Sequence, residues 1–293
     1  MITKNQKSVK SAQTVSFLRA VADIESDTAV RSGDYMAKDL LDKKYKWLLQ
    51  TMPHRFLKAL IHLSAPGTYC SMIIRTKHFD ATLSTEIEKG IKQVVILGAG
   101  YDTRSYRFMD QLKNINVFEV DLPVTQFGKR SRLMQTCKFV PDNLRFIPVD
   151  FNKELWEKAL IKNGFSLYLK TLFLWEGVTY YLPETTVQQV FQFVNSCAPG
   201  SSILFDYALK TFVNGDQSTY GGKQFAKWLK KINEPFLFGL NPSETSEFLS
   251  KNNLSLVTDL GPDEFEKKYL FTSKGTLLGK TVGHFRIAHA RVS

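Results

Sequence analysis

Apolar residues recur at helical spacing through the first 90 residues. In "AQTVSFLRAVADIES" the apolar positions lie about three residues apart, which places them along one side of a helix. The segments "MAKDLLDKKYKWLLQTM" and "HRFLKALIHLS" continue the pattern until Pro66 and Gly67 interrupt it. The next segment, "YCSMIIRTKHFDATLSTEIEKG", predicts another helix that ends near Gly90. We therefore expect residues 1–90 to form a helical region.

The pattern changes after residue 90 to short apolar runs that alternate with helical segments. The predicted strands are "QVVILG", "NVFEVD", "LRFIPVD", "TLFLWEG" and "SSILFDY". The helical segments between them are "QFGKRSRLMQTC", "KELWEKALIKNG" and "PETTVQQVFQFVNSCAPG". Strands that alternate with helices predict right-handed βαβ units and a mostly parallel sheet.

The remainder of the chain predicts a mixed segment, one helix and two strands. The helix signal is "NPSETSEFLSKNN", and the strands "LSLVTDLG" and "HFRIAHARV" are expected to be antiparallel neighbours. The expected fold class is α/β, with one doubly wound domain over residues 1–293. Its parts are a helical cap (1–90), a ligand-binding core (91–209), and a lid segment followed by the final strands (210–293).

Composition narrows the class of protein. Apolar residues make up 43% of the chain and charged residues 23%, which is ordinary for a globular protein. The three cysteines are far apart and form no CxxC pair, which argues against a zinc site and for a reducing compartment. The N-terminus lacks the apolar core of a signal peptide, and no run reaches the length of a membrane span. We expect a cytoplasmic protein without a membrane partner.

The formal net charge is +11, from 39 basic and 28 acidic residues. The charge favours either general solubility or an anionic partner such as nucleic acid or an acidic substrate. The basic residues are scattered, and no long Lys/Arg block is interleaved with aromatic residues. Charge alone therefore gives weak support for nucleic-acid binding.

The most informative stretch is "VVILGAGYDTRSYRF", in which a predicted strand ends in Gly98 and Gly100. In such sheets ligands bind beyond the carboxyl ends of the strands, and glycine lets the backbone approach them. A tight turn without a ligand is the alternative. A dinucleotide fingerprint would have a third glycine where Thr103 stands, and the carboxylate of Asp102 would repel a pyrophosphate. A ligand with a ribose, an amino-acid end and a positive centre, but no phosphate, is the better match, and S-adenosylmethionine has these features.

Acidic residues at three further strand ends support this ligand. Asp121 could accept hydrogen bonds from both ribose hydroxyls, and its alternative role is to cap the next helix. Asp150 could accept from an adenine amino group, with Phe151 beside it, although an Asx turn would also explain this aspartate. Glu176 follows the apolar run "FLW", where an unpaired charge would be costly, which points to a functional role. The alternative is a loop glutamate whose hydrogen bonds are satisfied by the protein.

Several stretches together resemble the leucine carboxyl methyltransferase-related family of class I S-adenosylmethionine-dependent O-methyltransferases. They are "ILGAGYDTRSYRF", "FEVDLPVTQFGKR", "PVDF", "FLWEGVTYYLPE", "EPFLFGLNPSETSEFL" and "FRIAHARV". The resemblance extends from about Ser11 to the C-terminus and is strongest to the bacterial and archaeal branch. It implies a Rossmann-like sheet of seven strands with S-adenosyl-L-methionine as the cofactor.

The resemblance also implies roles for individual residues. It places Arg75 on the cofactor carboxylate, Gly98 at the methionine end, and Glu176 near the methionyl part. It places Asp121 on the ribose and Asp150 with Phe151 at the adenine. Tyr181 would lie near the methyl acceptor and is the catalytic candidate. From the residues alone, Arg75 suits a carboxylate because a guanidinium binds it through two hydrogen bonds, although it could be a helix-surface arginine. His78 is favoured as a helix-face histidine over a base.

Methyl transfer from a sulfonium needs close approach and exclusion of water more than acid or base help. A carboxylate acceptor is already ionised at neutral pH, whereas an alcohol or phenol would benefit from a base. The sequence offers no convincing His/Asp pair, which favours a carboxylate. The expected partner is a small-molecule or peptide acceptor. The alternatives are methylation of a carboxylate on a modified tRNA base and a regulatory protein that binds the cofactor without catalysis. Oligomeric state is left open.

Overall fold

The computed structural model describes residues 4–150 and 156–293, with side chains of the first helix from residue 9 onward. The strands are β1 Gln93–Leu97, β2 Asn116–Asp121, β3 Leu144–Pro148, β4 Thr171–Trp175, β5 Ser202–Ala208, β6 Leu254–Leu260 and β7 Phe285–Val292. The helices are α1 Lys4–Asp23, α2 Lys43–Thr51, α3 His54–Ser64, α4 Thr68–Glu88, α5 Arg104–Arg107, α6 Met109–Leu112, α7 Pro123–Thr136, α8 Trp156–Lys162, α9 Glu184–Asn195, α10 Lys210–Val213, α11 Gly222–Ile232, α12 Thr245–Lys251 and α13 Pro262–Tyr269. Short 3₁₀ helices cover Thr28–Val30, Ala37–Leu40 and Thr179–Tyr181.

Seven strands form one sheet in the order β3-β2-β1-β4-β5-β7-β6 within the described residues. The first five strands are parallel, and β7 is antiparallel to both β5 and β6. The predicted α/β class, the mostly parallel sheet and the antiparallel pairing of the last two strands are confirmed. The chain reverses strand order between β1 and β4, which is where a doubly wound sheet opens a crevice for a ligand.

The strands separate two apolar cores, one on each face of the sheet. In β1, Val94 and Ile96 join a core with residues of α1, α3 and α4, whereas Val95 and Leu97 join a core with residues of α8, α9 and α12. This alternation follows from the two-residue period of a strand. Because both faces are covered, the strands read as continuous apolar runs rather than as alternating ones.

The region before the sheet is helical, as predicted, but it is more interrupted than the apolar pattern suggests. The segment "MAKDLLDKKYKWLLQTM", which continues the helical pattern in the sequence, is divided into a 3₁₀ helix and α2. Asp42 explains the division, because its side chain accepts a hydrogen bond from the backbone N–H of Tyr45 and so caps a new helix. Among the described residues, no helix has the length and apolar character needed to cross a bilayer.

The segment between β5 and β6 contains α10, α11 and α12, and α13 follows β6. The sequence pattern predicted α12 but left the region of α11 unassigned. The last turn of α11 carries Lys230 and Lys231, and Asn233 ends the helix in the left-handed conformation. As described below, α11 supplies part of the cavity wall.

Candidate active site

One cavity of about 810 Å³ lies at the carboxyl ends of β1, β2, β4 and β5. Seven of the eight residues predicted for the site line this single cavity. They are Arg75, Gly98, Gly100, Asp121, Asp150, Glu176 and Tyr181. The eighth, Phe151, lies outside the described residues. The sequence therefore identified strand ends that the fold brings together around one space.

Gly98 begins the turn that follows β1. Its φ is +64°, in the region that favours glycine, and a Cβ there would lie 2.4 Å from Cγ2 of Val178. The turn therefore excludes a side chain at this position for two reasons. As a result, the backbone of Gly98 and of Gly100 borders the cavity without a side chain of its own.

Asp121 is the last residue of β2 and is 8% exposed. Its two carboxylate oxygens accept hydrogen bonds from the backbone N–H groups of Gly100 and Leu122, so the side chain is fixed between the first two strand ends. Burial raises the pKa of Asp121, and these two N–H groups oppose that effect. Asp150 lies two residues beyond β3, is half-buried and lines the same cavity.

Glu176 follows β4 and is held between two arginines. One carboxylate oxygen accepts from Nε of Arg75 at 2.9 Å, and the other accepts from Nη1 of Arg104 at 2.7 Å. Burial alone would raise the pKa of Glu176, but the guanidinium groups of Arg104 and Arg75 outweigh burial and lower it. The charge expected to be costly at this position is therefore compensated by paired cations.

Arg75 does not stand alone at the cavity wall. Besides Glu176, it faces Asp206, with 3.4 Å between Nη1 and a carboxylate oxygen. Its predicted partner is the cofactor carboxylate. For Arg75 to bind one, the ligand would have to share or displace these two protein carboxylates.

Arg104 was missed by the sequence reasoning, although it lies inside the quoted glycine motif. It is 1% exposed, donates to Asp80 through Nε at 2.7 Å, and forms an ion pair with Asp102. The carboxylate of Asp102 is thus neutralised by its neighbour two residues along the chain, which a sequence pattern does not reveal. Thr103 donates to Asp34 at 2.6 Å, so this polar stretch anchors the turn to the N-terminal region.

Asp206 on β5 was also missed. It is 2% exposed, lines the cavity, and accepts a hydrogen bond from the backbone N–H of Gly177 at 2.7 Å. Burial, opposed by Arg75 and by the Gly177 N–H, raises the pKa of Asp206 to about 6. The sequence did contain a signal for it, because Asp206 is an acidic residue within the apolar run "SILFDYA". A buried charge there must be compensated, as for Glu176 after "FLW".

Tyr181 ends a 3₁₀ helix after β4 and belongs to an aromatic cluster. Its ring centroid is 4.9 Å from that of Tyr180 and 5.2 Å from that of Phe236. Burial raises the pKa of Tyr181, so its hydroxyl is protonated at neutral pH. His78, by contrast, is buried against α13, where its Nδ1 is 2.9 Å from the hydroxyl of Tyr269. It is not part of the cavity wall described above.

Sequence comparison finds relatives that are named as methyltransferases. YktD of Bacillus subtilis (strain 168), named as a candidate S-adenosyl-L-methionine-dependent methyltransferase, is 28% identical over 302 aligned residues. The alignment covers 96% of this chain and 97% of YktD. A Mycobacteroides abscessus protein with the same kind of name is 35% identical, over 55% of this chain and 50% of that protein.

Solved structures share the fold at low sequence identity. A DUF574 family protein from Streptomyces avermitilis MA-4680 has a TM-score of 0.63 at 13% identity, covering 98% of this chain and 100% of that one. A candidate methyltransferase from Thermobifida fusca YX has a TM-score of 0.58 at 17% identity, covering 82% and 88%. The family model described as leucine carboxyl methyltransferase matches residues 12–195, more than half of the chain. The chain therefore belongs to the leucine carboxyl methyltransferase family and is a methyltransferase.

Proposed function

We propose that the protein transfers a methyl group from S-adenosyl-L-methionine to an oxygen atom of a small molecule or peptide. The observation that carries the proposal is the convergence of the Gly98–Gly100 turn and the Asp121 carboxylate on one cavity at the sheet switch point. The cavity is of the size that small-molecule sites usually have.

The residues present suit this cofactor on chemical grounds. A buried carboxylate at the end of β2 can accept hydrogen bonds from two ribose hydroxyls, and it is already oriented by two backbone N–H groups. Asp150, beyond the end of β3, would accept a hydrogen bond from the adenine amino group. On the other side of the switch point, Glu176 and Arg75 would hold the charged amino-acid end.

When bound, S-adenosylmethionine supplies an electrophilic methyl group on a sulfonium. The chain contributes orientation and exclusion of water, because a displacement of this kind depends on aligned approach. Tyr181 and its aromatic neighbours would close the acceptor side of the cavity.

Calorimetry with S-adenosylhomocysteine tests the cofactor assignment. We expect Asp121→Asn to weaken binding by about 100-fold, because the neutral amide replaces a charged acceptor of two hydrogen bonds. Asp142→Asn, at an exposed position in the loop before β3, is the matched control and should bind as the unmodified protein does. Absence of binding to the unmodified protein, or equal affinities of the two variants, would contradict the proposal.

A further inference from the structure

The carboxylates that line the cavity outnumber its guanidinium groups, although Asp102 and Glu176 also pair with Arg104 behind the wall. Six carboxylates and two guanidinium groups line it, and no lysine or histidine is among the lining residues within the described chain. The two arginines are already engaged. Arg19 donates to the backbone oxygen of Tyr101 at 2.6 Å and lies 3.4 Å from Asp34, and Arg75 pairs with Glu176 and Asp206. An anionic acceptor would enter this space without an unengaged protein cation to pair with it, which is unfavourable where water is excluded.

The sheet topology separates two ends of the cavity. Gly98, Asp121 and Asp150 lie at the ends of β1, β2 and β3, on one side of the switch point, whereas Asp206 lies on β5, on the other. The proposed nucleoside contacts are all on the first side. Glu176 and Arg75, which would hold the amino-acid end, come next, and Asp206 lies one strand further along, between them and the aromatic wall that remains for the methyl acceptor.

The wall at that end is aromatic and apolar. Tyr180, Tyr181, Phe225 and Trp228 belong to one cluster that also contains Ala208, two residues after Asp206 on the same strand. Phe225 and Trp228 come from α11 and line the cavity, with ring centroids 5.4 Å apart. Such a wall contacts an apolar ring or chain favourably.

Asp206 retains the capacity to accept a further hydrogen bond. The Gly177 N–H occupies Oδ1 at 2.7 Å, and Oδ2 is 3.4 Å from Nη1 of Arg75, which is long for a charge-assisted hydrogen bond. A hydroxyl at this end of the cavity could therefore donate to Oδ2. The raised pKa of this carboxyl is in the range that suits a general base near neutral pH.

Resting on the proposed function, we infer that the methyl acceptor is a neutral, largely apolar alcohol or phenol, and that Asp206 accepts its hydroxyl proton. In the transfer the acceptor oxygen bonds to the methyl carbon, and the carbon–sulfur bond breaks with its electron pair remaining on sulfur. The hydroxyl proton passes to Oδ2 of Asp206. This assignment reverses the preference for a carboxylate acceptor, which rested on the sequence offering no base.

Two probes that differ in the polar group on the same ring test the inference by binding. Para-butylphenol is neutral and para-butylbenzoate is ionised at about pH 7.5, and both carry the same apolar body. Trp228 reports occupancy by fluorescence, and Trp228→Phe, which keeps an aromatic wall, should remove the signal. With S-adenosylhomocysteine bound, we expect the phenol to bind about tenfold or more tightly than the benzoate, because the benzoate charge would lose water without an unengaged protein cation to pair with it.

Asp206→Asn sharpens the test, since the amide keeps an acceptor for the Gly177 N–H. The variant should bind the benzoate more tightly than the unmodified protein does. It should lose about 100-fold or more in transfer of labelled methyl to para-butylphenol. Equal or tighter binding of the benzoate by the unmodified protein, absence of phenol binding, or unchanged transfer in the variant would each overturn the inference. If the variant does not fold, the comparison of phenol and benzoate binding to the unmodified protein still tests the inference. Failure to bind S-adenosylhomocysteine would instead contradict the proposed function.

Discussion

At the residue scale, the site is a set of buried charges whose partners come from distant parts of the chain. Glu176 pairs with Arg75 and Arg104, which lie 101 and 72 residues away along the chain. The sequence identified Glu176 because an acidic residue directly after an apolar strand must be satisfied. It could not identify which cations satisfy it, since those pairings depend on how α4 and the β1 turn pack together.

Asp206 and Glu176 should affect stability with opposite dependence on pH. The pKa of Asp206 is raised to about 6, so its contribution to the free energy of unfolding is largest at low pH and is lost as pH rises through 6. The pKa of Glu176 is lowered, so its contribution is present above the ordinary glutamate pKa and is lost as pH falls. The groups facing Asp206 are Arg75, Glu176, Tyr180 and Tyr181.

Urea denaturation between about pH 4 and about pH 7 measures both effects. As pH rises, the unmodified protein should lose stability relative to Asp206→Asn, because the buried carboxyl of Asp206 becomes ionised. Over the same range the unmodified protein should gain stability relative to Glu176→Gln, because the ionised carboxylate of Glu176 is the form that pairs with the arginines. Because each variant serves as the other's control, two slopes of the same sign would show that these carboxylates do not titrate as the geometry implies.

At the scale of elements, strands and long helices followed from the apolar pattern, and the segments around the cavity mouth did not. The strands β1, β4 and β5 were predicted because burial on both faces leaves continuous apolar runs, whereas the edge strand β3 is only partly buried. The helix α11 was left unassigned because its sequence, "GKQFAKWLKKI", lies in a mixed stretch with several turn signals. Its position over the cavity is a property of the tertiary fold, through contacts such as Phe225 with Phe236.

Two glycines with matching backbone allow the placement of α11 to be tested. Gly221, before α11, has a φ of +75°, and a Cβ there would lie 2.4 Å from the carbonyl oxygen of Pro66. Gly275 has a φ of +74° with nothing within 4 Å of such a Cβ. Both alanine variants carry the cost of a left-handed residue, roughly 1–2 kcal/mol, but only Gly221→Ala adds a backbone collision.

We therefore expect Gly221→Ala to be less stable than Gly275→Ala and to displace α11. Displacement should lower the affinity for para-butylphenol and change Trp228 fluorescence, while S-adenosylhomocysteine still binds at the β1 and β2 ends. Thermal denaturation and the two binding measurements distinguish the variants. Identical behaviour of both proteins would mean that the contact with Pro66 does not fix the helix.

At the scale of the whole molecule, the strand order separates two chemical tasks. At one side of the cavity, the ends of β1, β2 and β3 present backbone groups and carboxylates. At the other side, β4 and β5 present carboxylates that pair with arginine, and α11 presents aromatic side chains. Alternating strands and helices predicted the parallel sheet, but the position of the switch point depends on strand order, which the pattern of the chain does not contain. The family resemblance supplied that missing information for the cofactor side, whereas for the acceptor side it named only Tyr181.

Among the described residues, the basic side chains that line the cavity are the paired Arg19 and Arg75, so the other described basic residues lie away from it. Any binding of bulk tRNA should therefore be a surface effect that falls steeply with added salt, because it depends on released counterions. Para-butylphenol should not compete with tRNA, and labelled methyl from the cofactor should not enter it. Titration of labelled tRNA across a salt series, with and without the phenol, measures this independence. Displacement of one ligand by the other, or a methylated tRNA product, would instead place the nucleic acid at the cavity and favour the modified-base carboxylate as the acceptor.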